Sequence, residues 1–224
     1  MVVCSASRSG HFLHQIAFYG GEVKGPAVLV FLLSFCVATA ALAQSNSGQG
    51  PAEGPAKGGE EIQVWTSAGH SAINGTDHTG VWNAGLRYGM ILTGPHGPGF
   101  VRGRLEYAVD AVPVYLIFQP KRVVYGAGVN PFAFKWLLDR RGRVSPYFDF
   151  GSGVLFTSRD VPAGVSNINF ASGTAIGANV GHGKAHWSVE VRWLHISDAG
   201  LTADNPGINV IQVRAGLGWF HHKE

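Results

Sequence analysis

From Glu61 to the end of the chain, apolar and polar residues alternate in short segments separated by glycine-rich turns, and no segment sustains a helical period. The alternation predicts eight strands, at 61–70, 80–93, 99–117, 122–138, 143–157, 167–181, 184–197 and 208–220. In the second, Trp82, Leu86, Tyr88, Met90 and Leu92 share one parity against Asn83 and Arg87. In the third, Val101, Leu105, Tyr107, Val109 and Tyr115 oppose Arg102, Arg104, Glu106 and Asp110. The fifth sets Phe148, Phe150, Val154 and Phe156 against Tyr147 and Asp149, and the last sets Ile211, Val213, Ala215, Leu217 and Trp219 against Gln212 and Arg214.

In these strands one face is therefore apolar while the other carries charged and polar groups. In lipid the apolar face points outward and the charges pair inside, because a charge on the lipid face costs about 2–4 kcal/mol near the midplane. Lipid also forbids an unpaired strand edge, so an even number of strands must close on itself. The expected fold is all-β, an eight-stranded antiparallel transmembrane up-and-down β-barrel over residues 61–224.

The N-terminal region supports export. Residues Ala27 to Ala43 form an apolar run ending in Ala41-Leu42-Ala43 before Gln44, the pattern of a cleavable signal peptide over 1–43. Its upstream part, with Arg8 and Lys24, is long for a signal, and Phe35 before Cys36 argues against lipid attachment at that cysteine. Residues 44–60 are rich in Gly, Pro and Ser and read as a flexible leader. Both cysteines, Cys4 and Cys36, fall in the expected signal, so the exported chain has no thiol or disulfide. Of 17 basic and 14 acidic residues, the signal removes two and one, leaving 15 against 13. That balance suits neither nucleic acid nor a strongly acidic partner.

If the leader starts in the periplasm, the connections GPHGP, DRRGR and GHGK return there and are short, while the stretches around 71–79, 158–166 and 198–207 face outward. On the seventh strand Trp187, Val189, Val191 and Trp193 make the outward set, and the same parity continues to His195 and Ser197. Asn209 shares the outward parity of the eighth strand. If it pairs with His195, residue 193 pairs with 211 and 187 with 217, a consistent register. This places all three at the extracellular end, level with the lipopolysaccharide leaflet. A His and a Ser two apart on one strand face have backbones about 6.5 Å apart, within reach of a hydrogen bond that activates the hydroxyl toward an ester.

Beyond the expected signal, the remaining histidines, His70, His78, His96, His182, His186, His221 and His222, lie on turns and ends without ligand spacing and read as solvated; no metal or cofactor is expected. Arg140, Arg141 and Arg143 read as a solvated periplasmic turn, and Lys121 and Arg122 as surface charge on an outside turn.

The run His195-Ile196-Ser197-Asp198-Ala199-Gly200-Leu201 followed by Asn205-Pro206-Gly207 resembles the signature of the outer-membrane lipid A 3-O-deacylases, also called acyloxyacyl hydrolases. The resemblance implies His195 as general base, Ser197 as nucleophile and release of the acyl chain ester-linked at position 3 of lipid A. It implies Asn205 and the Gly200 N–H as oxyanion donors, with lipid A in the outer leaflet as partner, location in the outer membrane of a Gram-negative cell, and a homodimer as an open option. Two residues depart from the family pattern. Asn209 stands where the acid that orients the histidine is expected, so it can hold the ring but not balance its charge, unless Asp198 or Asp204 folds back to do so. Asp198 replaces an Asn, and its charge beside the nucleophile would repel an anionic lipid unless it is screened. A non-catalytic barrel with a structural or surface-binding role stays open on these residues. A soluble ligand-carrying calyx also stays open, although the charged inward set argues against it.

Overall fold

The computed structural model describes residues 54–202 and 205–221. The expected signal peptide and the first part of the leader, as well as Asp204 and His222, lie outside the described residues. Eight strands run in chain order: β1 Glu60–Gly75, β2 Gly80–Ile91, β3 Gly103–Gln119, β4 Arg122–Leu138, β5 Val144–Thr157, β6 Ile168–His182, β7 Ala185–Ser197 and β8 Ile208–His221. Each pairs antiparallel with its neighbours, and β1 pairs with β8 from Glu60↔His221 to Ser71↔Val210, so the sheet closes into a barrel. Among the described residues no strand is left with an open edge, as a chain surrounded by hydrocarbon requires.

The parity reading holds through most of the wall. Ile62, Val64, Leu86, Phe148, Phe150, Ile176, Val191 and Val213 are exposed on the outer face, while Glu61, Arg87, Asp149, Glu190, Arg192 and Arg214 are buried inside. An outer surface that is this apolar is what a bilayer solvates and water does not.

The departures have local causes. Tyr115 faces inward and is buried, contrary to its expected outward parity. Between Val112 and Tyr115 the β3–β4 register slips by one residue, and the same irregularity offsets β3 against β2. The extra residue falls at Pro113, which has no N–H to give to a ladder and is therefore tolerated at a bulge. Pro131 marks a second slip, between Val129 and Phe132 on β4. β3 starts at Gly103 and not at 99, because Gly99–Val101 form a 3-10 turn. The 92–102 connection is thus longer than its GPHGP core suggested, and the 76–79 connection is shorter because β1 continues to Gly75. Arg102 consequently leaves the interior set: it sits half exposed at the rim, 3.3 Å from Asp139. His186 is not solvated. It is buried in the barrel, with Nε2 2.7 Å from Glu61 Oε1 and its ring stacked on Phe220.

The interior has two zones. Toward the 139–143 and 183–184 turns it is ionic. Asp149 accepts Arg87 at 2.7 Å and also Arg192, Arg87 reaches Asp110 at 2.8 Å, and Arg192 reaches Glu190 at 2.8 Å. Below these, Lys135 bridges Glu61 at 2.6 Å and Glu106 at 3.2 Å. Toward the 158–167 and 198–207 loops it is apolar: Tyr115, Ile117, Leu155, Leu194, Ile196 and Ile208 pack together, and Val161 from the β5–β6 loop joins them.

Candidate active site

β7 and β8 pair without a bulge, with Trp193↔Ile211 and His195↔Asn209 in register, so counting by twos along each strand carries His195, Ser197 and Asn209 to one outer face at one end of the barrel. Their inward neighbours Leu194, Ile196, Ile208 and Val210 are buried in the apolar zone. The hairpin is thus pinned from behind by packing while its polar row faces outward.

Asn209 Oδ1 lies 2.7 Å from His195 Nδ1, and His195 Nε2 lies 2.9 Å from Ser197 Oγ. With the Nδ1 hydrogen donated to the amide oxygen, Nε2 is left to accept the serine hydroxyl, the tautomer a general base needs. Trp193 stacks on the imidazole, with ring centroids 5.8 Å apart. A Cβ added at Gly207 would lie 2.8 Å from His195 Cε1, and Gly207 has φ +63°. The glycine is required for both its conformation and its closeness to the ring. The Gly207 carbonyl accepts a hydrogen bond from Thr76 N at 2.9 Å, which ties the end of the loop to the β1–β2 turn. The β1–β8 register shifts between Ser71 and Gly75, beside Asn209.

Asp198 closes the loop on itself. Its carboxylate accepts Gly200 N at 3.0 Å, Thr202 N at 2.9 Å and Thr202 Oγ1 at 2.5 Å, as well as the Asn205 side-chain amide. The Thr202 hydroxyl first, then the Asn205 amide and the backbone N–H groups, hold its carboxyl down to about 2. Asp198 therefore does not orient His195; that partner is Asn209. Gly200 and Asn205, expected to face a developing oxyanion, meet instead on Asp198 Oδ1. Asn205 Oδ1 in turn accepts Gly207 N at 2.8 Å, so the same amide braces the glycine against the imidazole. The motif carries Gly207, but sequence alone assigns it no role; nothing in the pattern announces Thr202, and Trp193 reads only as one of the outward apolar set.

No group of metal-ligand side chains occurs among the described residues.

A closed barrel with an apolar outer surface, bearing a serine, a histidine and an amide in hydrogen-bonded sequence on its wall, is an outer-membrane barrel with the side-chain order of a serine hydrolase. The family model described as "Lipid A 3-O-deacylase (PagL)" matches residues 82–218, and the chain belongs to that family. The crystal structure of the outer membrane enzyme PagL is similar at 21% identity over 69% of this chain and 97% of that one, with a TM-score of 0.50. The outer membrane protein OprG from Pseudomonas aeruginosa is 10% identical over 76% of this chain and 99% of its own, with a TM-score of 0.44. Neisserial surface protein A is 14% identical over 75% and 99%, with a TM-score of 0.47. No curated protein sequence matches the chain.

Proposed function

We propose that the chain is exported by residues 1–43 and, from the outer leaflet, hydrolyses the ester that links an acyl chain to position 3 of lipid A. The observation that carries the reading is the unbroken row Asn209 Oδ1, His195 and Ser197 Oγ, at 2.7 and 2.9 Å, facing outward from the barrel wall. An acyl chain lying along the apolar wall brings its ester to the polar end of that stripe, and binding a lipid in the plane of its own leaflet requires no extraction into water.

In this mechanism Ser197 Oγ attacks the ester carbonyl carbon while His195 Nε2 takes its proton. The tetrahedral intermediate collapses, the sugar oxygen leaves with that proton, and the acyl group remains on Ser197. Water, deprotonated by the same nitrogen, then releases the fatty acid and restores the serine. Asn209 holds the ring in the correct tautomer but brings no charge to balance the imidazolium, which makes for a slow hydrolase. The Asn205 amide has a second N–H to offer the oxyanion. The Gly200 N–H becomes a second donor only when Asp198 releases it.

Mass spectrometry of lipid A from cells expressing the chain or its Ser197→Ala variant tests this directly. Loss of one hydroxyacyl chain is expected with the first alone, with turnover falling by about six orders of magnitude in the variant. Unchanged lipid A from cells that hold the folded barrel would leave a structural or binding role in its place.

A further inference from the structure

We propose that the hydrogen-bonded hydroxyls of Ser152 and Ser172 form a subsite beside His195 that reads a hydroxyl on the acyl chain, two carbons from the carbonyl that Ser197 attacks. The proposal rests on the hydrolase reading and adds to it a preference between acyl chains. Strand pairing places the two serines. Ser172 of β6 stands directly opposite His195 of β7, and Ser152 of β5 directly opposite Ser172. Both share the outward parity of Phe150, Phe156, Phe170 and Ile176, and both are part-exposed, so a group on the lipid side can reach them. The polar row of Asn209 and His195 therefore runs on across two more strands. It stops at Phe132 of β4, which is opposite Ser152 and 60% exposed.

The hydrogen-bond count gives the second observation. Ser152 Oγ and Ser172 Oγ lie 2.8 Å apart and bond to each other. Two hydroxyls carry two hydrogens, and that bond uses one. The second hydrogen has no acceptor among the described residues, and the neighbours along the same strands on the outer face include Phe150 and Phe170, both exposed. Thr66, another outward hydroxyl, is satisfied within the wall, where its Oγ1 donates to the Asn83 carbonyl at 3.2 Å. A hydroxyl hydrogen left over on an apolar face favours a bound group that accepts it.

Position decides which part of the lipid meets the pair. Ser197 stands opposite Phe170, so Ser172 is its diagonal neighbour, with backbones about 7–8 Å apart, on the side away from the 198–207 loop. The sugar side of the ester goes toward that loop and the acyl side follows the apolar wall, so the serines meet the acyl side. A carbonyl carbon about 3–3.5 Å from Ser197 Oγ, with a hydroxyl two carbons further along the chain, spans the gap. That hydroxyl accepts the left-over hydrogen and donates its own to a serine oxygen. An unsubstituted chain does neither.

The test uses the full chain in non-ionic detergent and two synthetic glucosamine lipids, identical except that the acyl chain esterified at position 3 carries or lacks that hydroxyl. The hydroxylated ester is expected to be cleaved with a kcat/KM about tenfold higher, the upper end of what one net hydrogen bond supplies. In Ser152→Ala combined with Ser172→Ala the ratio should fall to near one, while Ser172→Thr, which keeps the hydroxyl, should retain it. A general disturbance of the site would slow both esters and leave the ratio alone. Heat-modifiable gel mobility checks that each variant is folded. Calorimetric binding of the same two lipids to Ser197→Ala separates the subsite from the hydrolase reading: the hydroxylated lipid should bind about tenfold tighter, and the difference should vanish when the two serines are also replaced. Cleavage without preference, equal binding of the two lipids, or a preference unchanged in the double variant overturns the subsite. A binding preference that depends on the serines, in a chain whose parent cleaves neither ester, supports the subsite and overturns the hydrolase.

Discussion

The two ends of this barrel are stabilised by different forces. Around Asp149 the interior is a lattice of guanidinium and carboxylate groups: Arg87 touches both Asp149 and Asp110, and Arg192 touches both Asp149 and Glu190. Around Ile196 it is a plug of aliphatic and aromatic side chains that Val161 joins from the β5–β6 loop. The contrast shows how a barrel only eight strands around can keep a reactive group on its outside. Ion pairs fix charges relative to one another across the lumen, so they set which strands face which. Apolar packing fixes the backbone directly behind each strand. The polar row of His195, Ser197 and Asn209 lies over the packed zone, where alternate residues anchor the same two strands.

If that division is right, the ionic zone governs stability and leaves the site alone. Asp149→Asn keeps the shape but leaves Arg87 and Arg192 facing each other with one carboxylate fewer. Removing one member of a buried charge network costs about 3–5 kcal/mol, so the urea midpoint for unfolding from lipid vesicles should drop sharply. Ester cleavage per folded molecule should stay within about twofold of the parent. A large fall in turnover of the folded fraction would mean that the two zones are coupled.

The converse applies at the other end, where Gly207 is in contact with the imidazole and far from the ion pairs. Gly207→Ala places a methyl 2.8 Å from His195 Cε1 at a positive φ. The ring or the loop must move. A displacement on the scale of 1 Å at a catalytic group costs about 100-fold in rate, and that is the expected loss in turnover, while the urea midpoint moves by much less than for Asp149→Asn. A crystal structure or NMR spectrum showing an unmoved His195 in this variant would refute the bracing role.

Asn209 sharpens the comparison from inside the site. Asn209→Asp keeps the 2.7 Å contact with Nδ1 and supplies the charge the amide lacks. It should raise turnover by about tenfold, or roughly 1.4 kcal/mol of barrier, with little change in KM. An unchanged or lower rate would show that the amide already does all that this position can do.

The sequence disclosed most of the wall and the core of the candidate site for one reason: a strand has a period of two, and a hairpin without a bulge preserves that count from one strand to the next. His195 and Asn209 could be paired on paper because β7 and β8 are regular throughout. Tyr115 could not be placed, because the count breaks at Pro113; the two prolines inside β3 and β4 were the only sign that it would. His186 shares the parity of Glu190 and Arg192 and was legible as an interior residue, but its position next to a turn suggested solvent. The loop stayed dark for a different reason. Ala199 and Gly200 both adopt positive φ, at 57° and 79°, and the turn they make sends Asp198 toward Gly200, Thr202 and Asn205. No periodicity reports on such a turn.

The smallest expected effect concerns that loop. Asp198 titrates near 2 in the folded chain against an ordinary 3.8, chiefly because of the Thr202 hydroxyl. A carboxyl whose folded value is depressed contributes its full stabilisation above the unfolded value and loses it as the pH falls through the folded one. The loop should therefore keep its hydrogen bonds from neutral pH down to about 4 and release them only as the pH approaches about 2. Amide chemical shifts of Gly200 and Thr202 in micelles should follow that course, and in Asp198→Asn the acid-dependent change should vanish. Release at low pH would also free the Gly200 N–H. Amide shifts that titrate near 3.8 would mean that Asp198 stands in water and does not organise the loop, and the bracing of Gly207 through Asn205 would then need another anchor.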